Sequence, residues 1–190
     1  KVDLKYKEID LSELLKSIEN FYQTSAKLNN TTITTNIEGE SIFIRSDLKL
    51  MEDILNYLVS NAVKFTHDGS IKLSAQKILS NDKYHISIKV EDNGIGIPKE
   101  KQSLVWQEFR QASEGFNRSF EGTGLGLTIT KKYVEILGGE ISLESEENIG
   151  TVFTILLPRD NDKIGELESS VKISNPRKTD IEKPKTRKHK

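Results

Sequence analysis

The sequence predicts an α+β domain in which helices lie on one face of a mixed sheet. Segments with apolar residues at helical spacing and segments with apolar residues at every second position occur in blocks, without a regular strand–helix–strand alternation. Sizeable apolar residues end abruptly after the run TVFTILLP at 151–158. We therefore predict one domain over residues 1–159, followed by a flexible basic linker over 160–190 that has too few apolar residues for a core.

Length and composition narrow the class of protein. The chain has 190 residues, 28 Lys and Arg, 29 Asp and Glu, and no Cys. This length suits one ordinary domain, and the lack of Cys excludes a disulfide framework and a Cys-based zinc site. No apolar run reaches the roughly 18 residues that span a bilayer, and the first ten residues do not resemble a signal peptide. We expect a soluble, cytoplasmic segment without membrane contact, whether or not its parent protein is membrane-anchored.

The basic end of the chain has two interpretations. Residues 160–190 hold 9 Lys and Arg against 6 Asp and Glu, which could form a patch for nucleic acid or lipid. A solvated tether is favoured, because the stretch has no aromatic residue and no helical periodicity. We therefore expect no nucleic-acid partner.

The first elements follow from local signals. The run VDLKYKEI alternates apolar and polar residues as a strand does, and Asp10 with Glu13 forms a start for a helix that resembles a capping box. The apolar residues of that helix share one face: Leu11, Leu14, Leu15, Ile18 and Phe21. Two strand-like runs, 31–38 and 41–46, flank Gly39 and predict a hairpin.

The remaining elements are predicted from the same kinds of local signal. A second helix is predicted from the cap Asp47 through Phe65, and its buried stripe comprises Met51, Ile54, Leu55, Leu58, Ala62 and Phe65. Further along the chain we predict strands at 70–79 and 83–90, a short helix from Pro98 to about Gln111, a last helix at 123–137 that ends at Gly138–Gly139, and two closing strands, EISLES and TVFTILLP.

Asp92 is the first residue whose placement needs a functional explanation. In the strand that ends KVEDNGIGIP, residues 84, 86, 88 and 90 share the apolar side, and Asp92 continues that side. A carboxylate there is unfavourable unless donors satisfy it. Capping of the turn is the common use of Asp-Asn-Gly. The position on the apolar side favours a contact with a ligand, which Gly94 and Gly96 would let approach the backbone closely.

The helix over 47–65 contains a polar seam beside its core stripe. Tyr57, Asn61 and Lys64 lie together there at helical spacing, and the default interpretation is an ordinary exposed face. If the seam instead faces a cleft, the Asn61 amide oxygen is a hard ligand for Mg²⁺ and Lys64 is a point charge for phosphate.

Three glycines in EGTGLGLTIT precede or open the last helix. Gly122, Gly124 and Gly126 would expose backbone N–H groups where the helix dipole favours phosphate; a flexible hinge is the alternative. The sequence lacks the P-loop pattern, and Pro98 and Lys99 interrupt a dinucleotide fingerprint at Gly94. His67, His85 and His189 are scattered without metal-ligand spacing, and no nucleophile elbow occurs. The three polar features together indicate a nucleotide site.

Four segments resemble a known family in order and spacing. SNAVKFT (60–66), VEDNGIGIP (90–98), LVWQEFRQ (104–111) and GTGLGLTIT (122–130) are similar to the N, G1, F and G2 boxes of the catalytic ATP-binding domain of sensor histidine kinases, in the GHKL superfamily. The resemblance implies a two-layer α/β sandwich of the Bergerat type, with three helices over a mixed sheet and ATP held under a lid.

The resemblance also implies roles for individual residues. Asn61 would bind Mg²⁺, Lys64 would contact phosphate, and Asp92 would accept from the adenine amine in a pocket shaped by Gly94 and Gly96. Phe109 would anchor a lid at about 110–121, in which Arg110 and Arg118 would reach phosphate. The nucleotide-binding residues that it implies are therefore Asn61, Lys64, Asp92, Gly94, Gly96, Phe109, Arg110, Arg118, Gly122, Gly124 and Gly126, with the last three as hinge and phosphate cradle.

Two departures from the family pattern affect the expected function. Many members have a second Asn, or in hydrolysing members a Glu, where this chain has Tyr57. A neutral phenol cannot activate water as that Glu does, so transfer is favoured over hydrolysis. The phosphoacceptor His box is missing, because His67 falls in a turn and His85 on a strand.

The sequence therefore predicts the catalytic domain of a protein-histidine kinase, which uses Mg-ATP and passes the γ-phosphoryl group to a His on a separate dimerisation domain. A receiver domain after residue 190, or a separate response regulator, would fit the basic linker. The alternatives are a hydrolysing GHKL clamp of the gyrase or MutL kind, and a binding module that no longer uses nucleotide.

Overall fold

A computed structural model describes residues 3–37, 41–80, 83–107 and 126–159. In chain order the elements are β1 (Tyr6–Asp10), α1 (Leu11–Leu28), β2 (Thr32–Ile37), β3 (Phe43–Asp47), α2 (Leu48–Phe65), β4 (Ser70–Ser80), β5 (Lys83–Asp92), α3 (Lys99–Gln102), a 3₁₀ turn (Leu104–Trp106), α4 (Gly126–Ile136), β6 (Glu140–Glu146) and β7 (Gly150–Pro158). The α+β prediction is confirmed: α1, α2 and α4 pack on a mixed sheet of five strands.

The sheet has the strand order β2-β4-β5-β7-β6. Strand β2 is parallel to β4, and the other neighbours are antiparallel. Strands β1 and β3 form a separate antiparallel pair.

The predicted hairpin over 31–46 is wrong, because β2 and β3 belong to different sheets. Ile33 of β2 lies beside Ile71 of β4, whereas Ile44 of β3 lies beside Ile9 of β1, and both are buried. The alternation within each strand was predicted correctly. The choice of partner depends on which pairing buries each apolar row, and the turn signal at Gly39 does not contain that information.

Two aspartates begin the long helices, as the sequence predicts. Asp10 accepts from the backbone N–H groups of Ser12 at 2.8 Å and Glu13 at 3.4 Å. Asp47 accepts from the N–H of Leu50 at 3.1 Å, and also from the N–H of Lys5 at 2.7 Å. Each carboxylate satisfies donors that the first turn leaves unpaired.

The core lies between the helices and the sheet. Many of its fully buried side chains come from α1, α2, β4 and β5: Leu11, Leu15, Met51, Ile54, Leu55, Leu58, Ile71, Leu73, Ile86 and Ile88. Two predicted core residues are outside it. Phe21 is 73% exposed, because Tyr22 packs against the core and donates to the Asn56 carbonyl at 3.2 Å. Phe65 is half-buried at the end of α2.

The predicted helix from Pro98 to about Gln111 is shorter than expected. It ends at Gln102, and a 3₁₀ turn follows in the described residues up to 107. The last helix is described from Gly126 and ends at Ile136, and Gly138 follows with a φ of 77°, a backbone conformation that favours glycine at a helix end. Among the helices of the described ranges, none has the length and apolar character needed to cross a membrane.

Candidate functional site

Asp92 ends β5 in the row of core-facing side chains. It lies opposite Ile71 on one neighbouring strand and Thr151 on the other. The N–H of Gly94 donates to Asp92 Oδ1 at 2.9 Å, and the backbone of Thr151 adds a hydrogen bond. Within the described ranges Asp92 forms no ion pair.

The surroundings of Asp92 leave its charge incompletely compensated. Burial raises the pKa of the carboxyl group above its ordinary value, and the hydrogen bonds from Gly94 and Thr151 only partly oppose this rise. A carboxylate has room for about four hydrogen bonds, so Asp92 can still accept from an outside donor.

The segment that follows Asp92 is fastened at both sides by hydrogen bonds. The N–H of Ile95 donates to the Phe65 carbonyl at the end of α2, at 3.2 Å. On the other side, the N–H of Asn148 donates to the Ile95 carbonyl at 2.7 Å, and the N–H of Ile97 donates to Ser145 Oγ at 2.8 Å. These contacts fix the loop between α2 and the β6–β7 turn.

Gly94 and Gly96 have a packing role in this loop. A Cβ atom at Gly94 would collide with the Phe65 carbonyl, and one at Gly96 would collide with the Glu146 carbonyl. Gly96 also has a φ of 65°, which side-chain-bearing residues rarely adopt. The glycines therefore let the loop pack against two neighbouring segments, and their predicted part in shaping a ligand pocket stays a prediction.

A buried hydroxyl group lies beside this loop. Thr66 follows α2, and its side chain is fully buried. Its Oγ1 has no hydrogen-bond partner in the described part of the chain and lies next to Gly94. An unpaired buried hydroxyl is uncommon and indicates a place for an ordered water or a ligand group.

The polar seam of α2 lies close to the end of that helix, where Phe65 contacts the loop after Asp92. Asn61 and Lys64 are both half-buried, and the Lys64 ammonium lies 5.2 Å from the centre of the Phe65 ring. The Asn61 side chain makes no hydrogen bond to any described residue. Its amide oxygen is thus available to an external ligand within one helical turn of the loop that carries Gly94.

The start of α4 packs against the same helix. Gly126 is buried, and a Cβ atom there would collide with the ring of Tyr57. Tyr57 lies one turn before Asn61 on α2, so both residues share one side of the helix. Thus α2 is adjacent to the Gly94 loop at its end and to the first turn of α4 nearer its middle.

Six of the predicted site residues lie in the described ranges, on α2, at the end of β5, on the loop that packs against the end of α2, and at the start of α4: Asn61, Lys64, Asp92, Gly94, Gly96 and Gly126. The other predicted residues lie outside the described ranges: Phe109, Arg110, Arg118, Gly122 and Gly124. Groups of three or more His, Asp or Glu that could hold a metal do not occur in the described residues. The available donor is the neutral Asn61 amide, which fits an Mg²⁺ ion whose other ligands are water and phosphate.

The sequence did not indicate the residues whose hydrogen bonds hold the loop after Asp92 in place. Ser145 accepts from Ile97 and donates to the Gly150 carbonyl at 2.8 Å, and Gln102 donates to the carbonyls of Ile97 and Ser145 at 2.9 and 2.8 Å. No short-range signal marks the contacts of Ser145 with Ile97 and Gln102, since 48 and 43 residues separate the partners. Thr151, the second residue of β7, was missed for the same reason, since its position beside Asp92 depends on the pairing of β5 with β7.

Comparison with known proteins assigns the family. A family model described as "Histidine kinase-, DNA gyrase B-, and HSP90-like ATPase" matches residues 46–161, more than half of the chain. The chain belongs to this family. The match includes the α2 seam, the Asp92 loop and the glycines before α4.

Curated relatives are sensor kinases. BarA of Escherichia coli K12, a signal transduction histidine-protein kinase, is 44% identical over 124 residues, which cover 64% of this chain and 13% of BarA. The autoinducer 2 sensor kinase/phosphatase LuxQ of Vibrio cholerae is 38% identical over 153 residues, which cover 80% of this chain and 18% of LuxQ. The chain therefore spans less than a fifth of the length of these relatives.

Solved structures share the fold. The nucleotide-free catalytic domain of histidine kinase ThkA superposes with a TM-score of 0.71 at 26% identity, covering 84% of this chain and 99% of that one. Full-length ShkA in complex with AMPPNP gives a TM-score of 0.73 at 24% identity, covering 83% of this chain and 32% of ShkA. The described residues therefore adopt the fold of histidine kinase catalytic domains.

Proposed function

We propose that this chain is the ATP-binding catalytic domain of a sensor histidine kinase, which transfers the γ-phosphoryl group of Mg-ATP to a His on a separate dimerisation domain. Membership of the family and similarity to BarA and LuxQ support this class of function. The complex of ShkA with AMPPNP, a protein of the same fold, supports ATP as the ligand.

The observation that carries the proposal is the state of Asp92. Its carboxylate is half-buried, accepts only backbone hydrogen bonds among the described residues, and has a pKa that burial raises. An adenine amine that donates to it would compensate a charge that the protein leaves incompletely paired. The loop beside it is fixed at α2 and at the β6–β7 turn, so this side of the proposed site is held in place before the ligand binds.

The α2 seam provides the other end of the proposed site. Asn61 would hold Mg²⁺ through its amide oxygen, and Lys64 would neutralise phosphate charge. The bound ion would supply charge stabilisation for the transferred phosphoryl group. Gly126 would present N–H groups of the first turn of α4 to the phosphates, together with Gly122 and Gly124. Phe109, Arg110 and Arg118 remain predicted lid residues.

Phosphoryl transfer depends mainly on positioning and charge stabilisation. This chain would hold the nucleotide, and the partner domain would supply the nucleophilic imidazole. ThkA has been solved in complex with the response regulator TrrA, which supports a response regulator, or a receiver domain of the same protein, as a further partner. On this proposal the catalytic domain acts in the cytoplasm.

A hydrolysing clamp would need an acid near the terminal phosphate to activate water. The seam has Tyr57 in the position where such members have Glu. The proposal therefore predicts that the chain binds ATP and hydrolyses it slowly.

Titration of the chain with AMPPNP, with and without Mg²⁺, tests the proposal. We expect Asp92→Asn to weaken binding by about 1.5 to 3 kcal/mol in both conditions, the range for a hydrogen bond to a charged group. We expect Asn61→Ala to weaken binding in Mg²⁺ more than without it.

Matched controls are available for both substitutions. Glu91→Gln changes the exposed neighbour of Asp92 on the other side of β5, and Asn56→Ala changes an amide on another side of α2; neither should alter binding. Unchanged affinity in a folded Asp92→Asn variant would remove Asp92 from the site. Equal losses with and without Mg²⁺ would remove the metal role of Asn61, and rapid hydrolysis by the chain alone would favour the clamp.

A further inference from the structure

The contact between Tyr57 and Gly126 suggests a role for a residue that has no direct part in the proposed site. Gly126 is the first described residue of α4 and is buried. A Cβ atom at this position would collide with the Cδ1, Cε1 and Cζ atoms of the Tyr57 ring. The backbone of the first α4 turn therefore lies directly against the ring, at a distance that glycine alone allows.

A second contact holds the same turn from another direction. The hydroxyl group of Thr128 donates to the Trp106 carbonyl at 3.2 Å, and the Lys131 ammonium lies 5.8 Å from the centre of the Trp106 ring. The Trp106 ring in turn packs edge-on against Phe153 of the sheet. The first turns of α4 are thus positioned by Tyr57 of α2 and by the Trp106 segment.

The ring of Tyr57, and not its hydroxyl group, makes this contact. The hydroxyl forms no hydrogen bond to any residue in the part of the chain that the structure describes. The backbone carbonyl of Tyr57 accepts from Ser60 Oγ at 3.0 Å, an interaction that any residue at position 57 could keep. A phenylalanine at this position should therefore preserve the contact, whereas a small side chain should remove it.

We infer that Tyr57 is a positioning residue for the triphosphate end of the site. Its ring sets the separation between the first turn of α4 and the side of α2 that carries Asn61. The free N–H groups of a first helical turn attract phosphate only within a short range. This separation therefore controls whether α4 and Asn61 can contact the same polyphosphate chain. The inference rests on the proposed function and concerns affinity for the phosphates, not for the base.

Binding of a ligand series to the full chain tests this role. Adenosine, ADP and AMPPNP, the last two with Mg²⁺, are titrated against the unaltered chain, Tyr57→Phe, Tyr57→Leu and Tyr57→Ala. We expect Tyr57→Phe to match the unaltered chain. We expect Tyr57→Ala to lose about tenfold in AMPPNP affinity, with a smaller loss for ADP and none for adenosine, because Asp92 lies elsewhere.

The reciprocal change gives a second measurement. Gly126→Ala should also weaken AMPPNP binding by about tenfold, because the added methyl group forces α4 away from the ring. Combining Gly126→Ala with Tyr57→Leu frees space and should recover part of that loss. Gly138→Ala at the other end of α4 is the matched control and should leave AMPPNP affinity unchanged.

Several outcomes would overturn the inference. Equal losses for adenosine and AMPPNP in folded Tyr57→Ala would indicate a general structural role. Unchanged AMPPNP affinity in that variant, or in Tyr57→Leu if the alanine variant does not fold, would show that the ring has no positioning role. Failure of the unaltered chain to bind AMPPNP would contradict the proposed function itself.

Discussion

Two carboxyl groups in this domain, Glu19 and Asp92, have pKa values shifted in opposite directions by their surroundings. Glu19 of α1 is 5% exposed, and the Lys16 ammonium donates to it at 2.7 Å. Burial raises the pKa of Glu19, but the hydrogen bond and the charge of Lys16 lower it overall. Asp92 has backbone donors and no ion pair in the described residues, and burial keeps its pKa raised.

The difference separates a structural acid from an acid available to a ligand. A cation within one turn of α1 compensates Glu19 before any ligand is present, so its charge stabilises the fold. The carboxylate of Asp92 lies beside a loop that hydrogen bonds hold in place, and it has acceptor capacity left for a ligand. Its ionised form therefore lowers the stability of the free domain and is available for binding. Both residues are carboxylates beside a core, and only their surroundings distinguish them.

A substitution at Gly150, which packs against the backbone of Asp92, should destabilise the domain most. Gly150 has a φ of 145°, and a Cβ atom there would collide with the Asp92 carbonyl and lie 2.8 Å from Asn93 Cα. We expect Gly150→Ala to lower the free energy of unfolding by about 2 kcal/mol or more, measured by urea denaturation. Gly138→Ala, at an exposed helix end with φ of 77°, should cost only about 1 kcal/mol of backbone strain. Equal losses would mean that the collision at Asp92 is relieved by a small shift.

Removal of the Glu19 charge should have a smaller effect on stability. We expect Glu19→Gln to lower the free energy of unfolding by about 1 kcal/mol at pH 7, because the charge-assisted bond to Lys16 is lost. The folded pKa is lowered, so this contribution is present above the ordinary Glu pKa and disappears as pH falls through the folded pKa.

The exposed i,i+4 pair of Lys49 and Asp53, at 2.6 Å, provides the control. Asp53→Asn should cost no more than about 0.5 kcal/mol. A loss for Glu19→Gln that persists unchanged at low pH would contradict the ion-pair explanation.

The smallest effect should have the opposite sign. Because the folded pKa of Asp92 is raised, the ionised group lowers stability, and this loss develops as pH rises from the ordinary Asp pKa through the folded pKa. We expect Asp92→Asn to be more stable than the unaltered chain at pH 7 and to lose that advantage in acid. Urea denaturation across this pH range without nucleotide measures it. A destabilised variant at pH 7 would show that Asp92 is a structural acid like Glu19.

Much of the fold and part of the candidate site could be predicted from local patterns. The caps at Asp10 and Asp47 and the alternation of Ile86, Ile88 and Val90 act within a few residues, so the sequence specifies them directly. The four family boxes likewise mark Asn61 and Asp92 as candidate site residues, and their roles stay predictions. The pairing of β2 with β4 could not be predicted, because it depends on contacts between residues far apart in the chain.

Residue type and short-range spacing were enough to predict most element types, the class of domain and the candidate residues for metal, phosphate and purine, because each of these predictions rests on local patterns. Local patterns do not show that Ser145 holds the Asp92 loop, that Tyr22 and not Phe21 packs against the core, or that the Tyr57 ring contacts Gly126. These contacts join residues more than thirty positions apart, where close packing of whole elements, and not local preference, selects the neighbours.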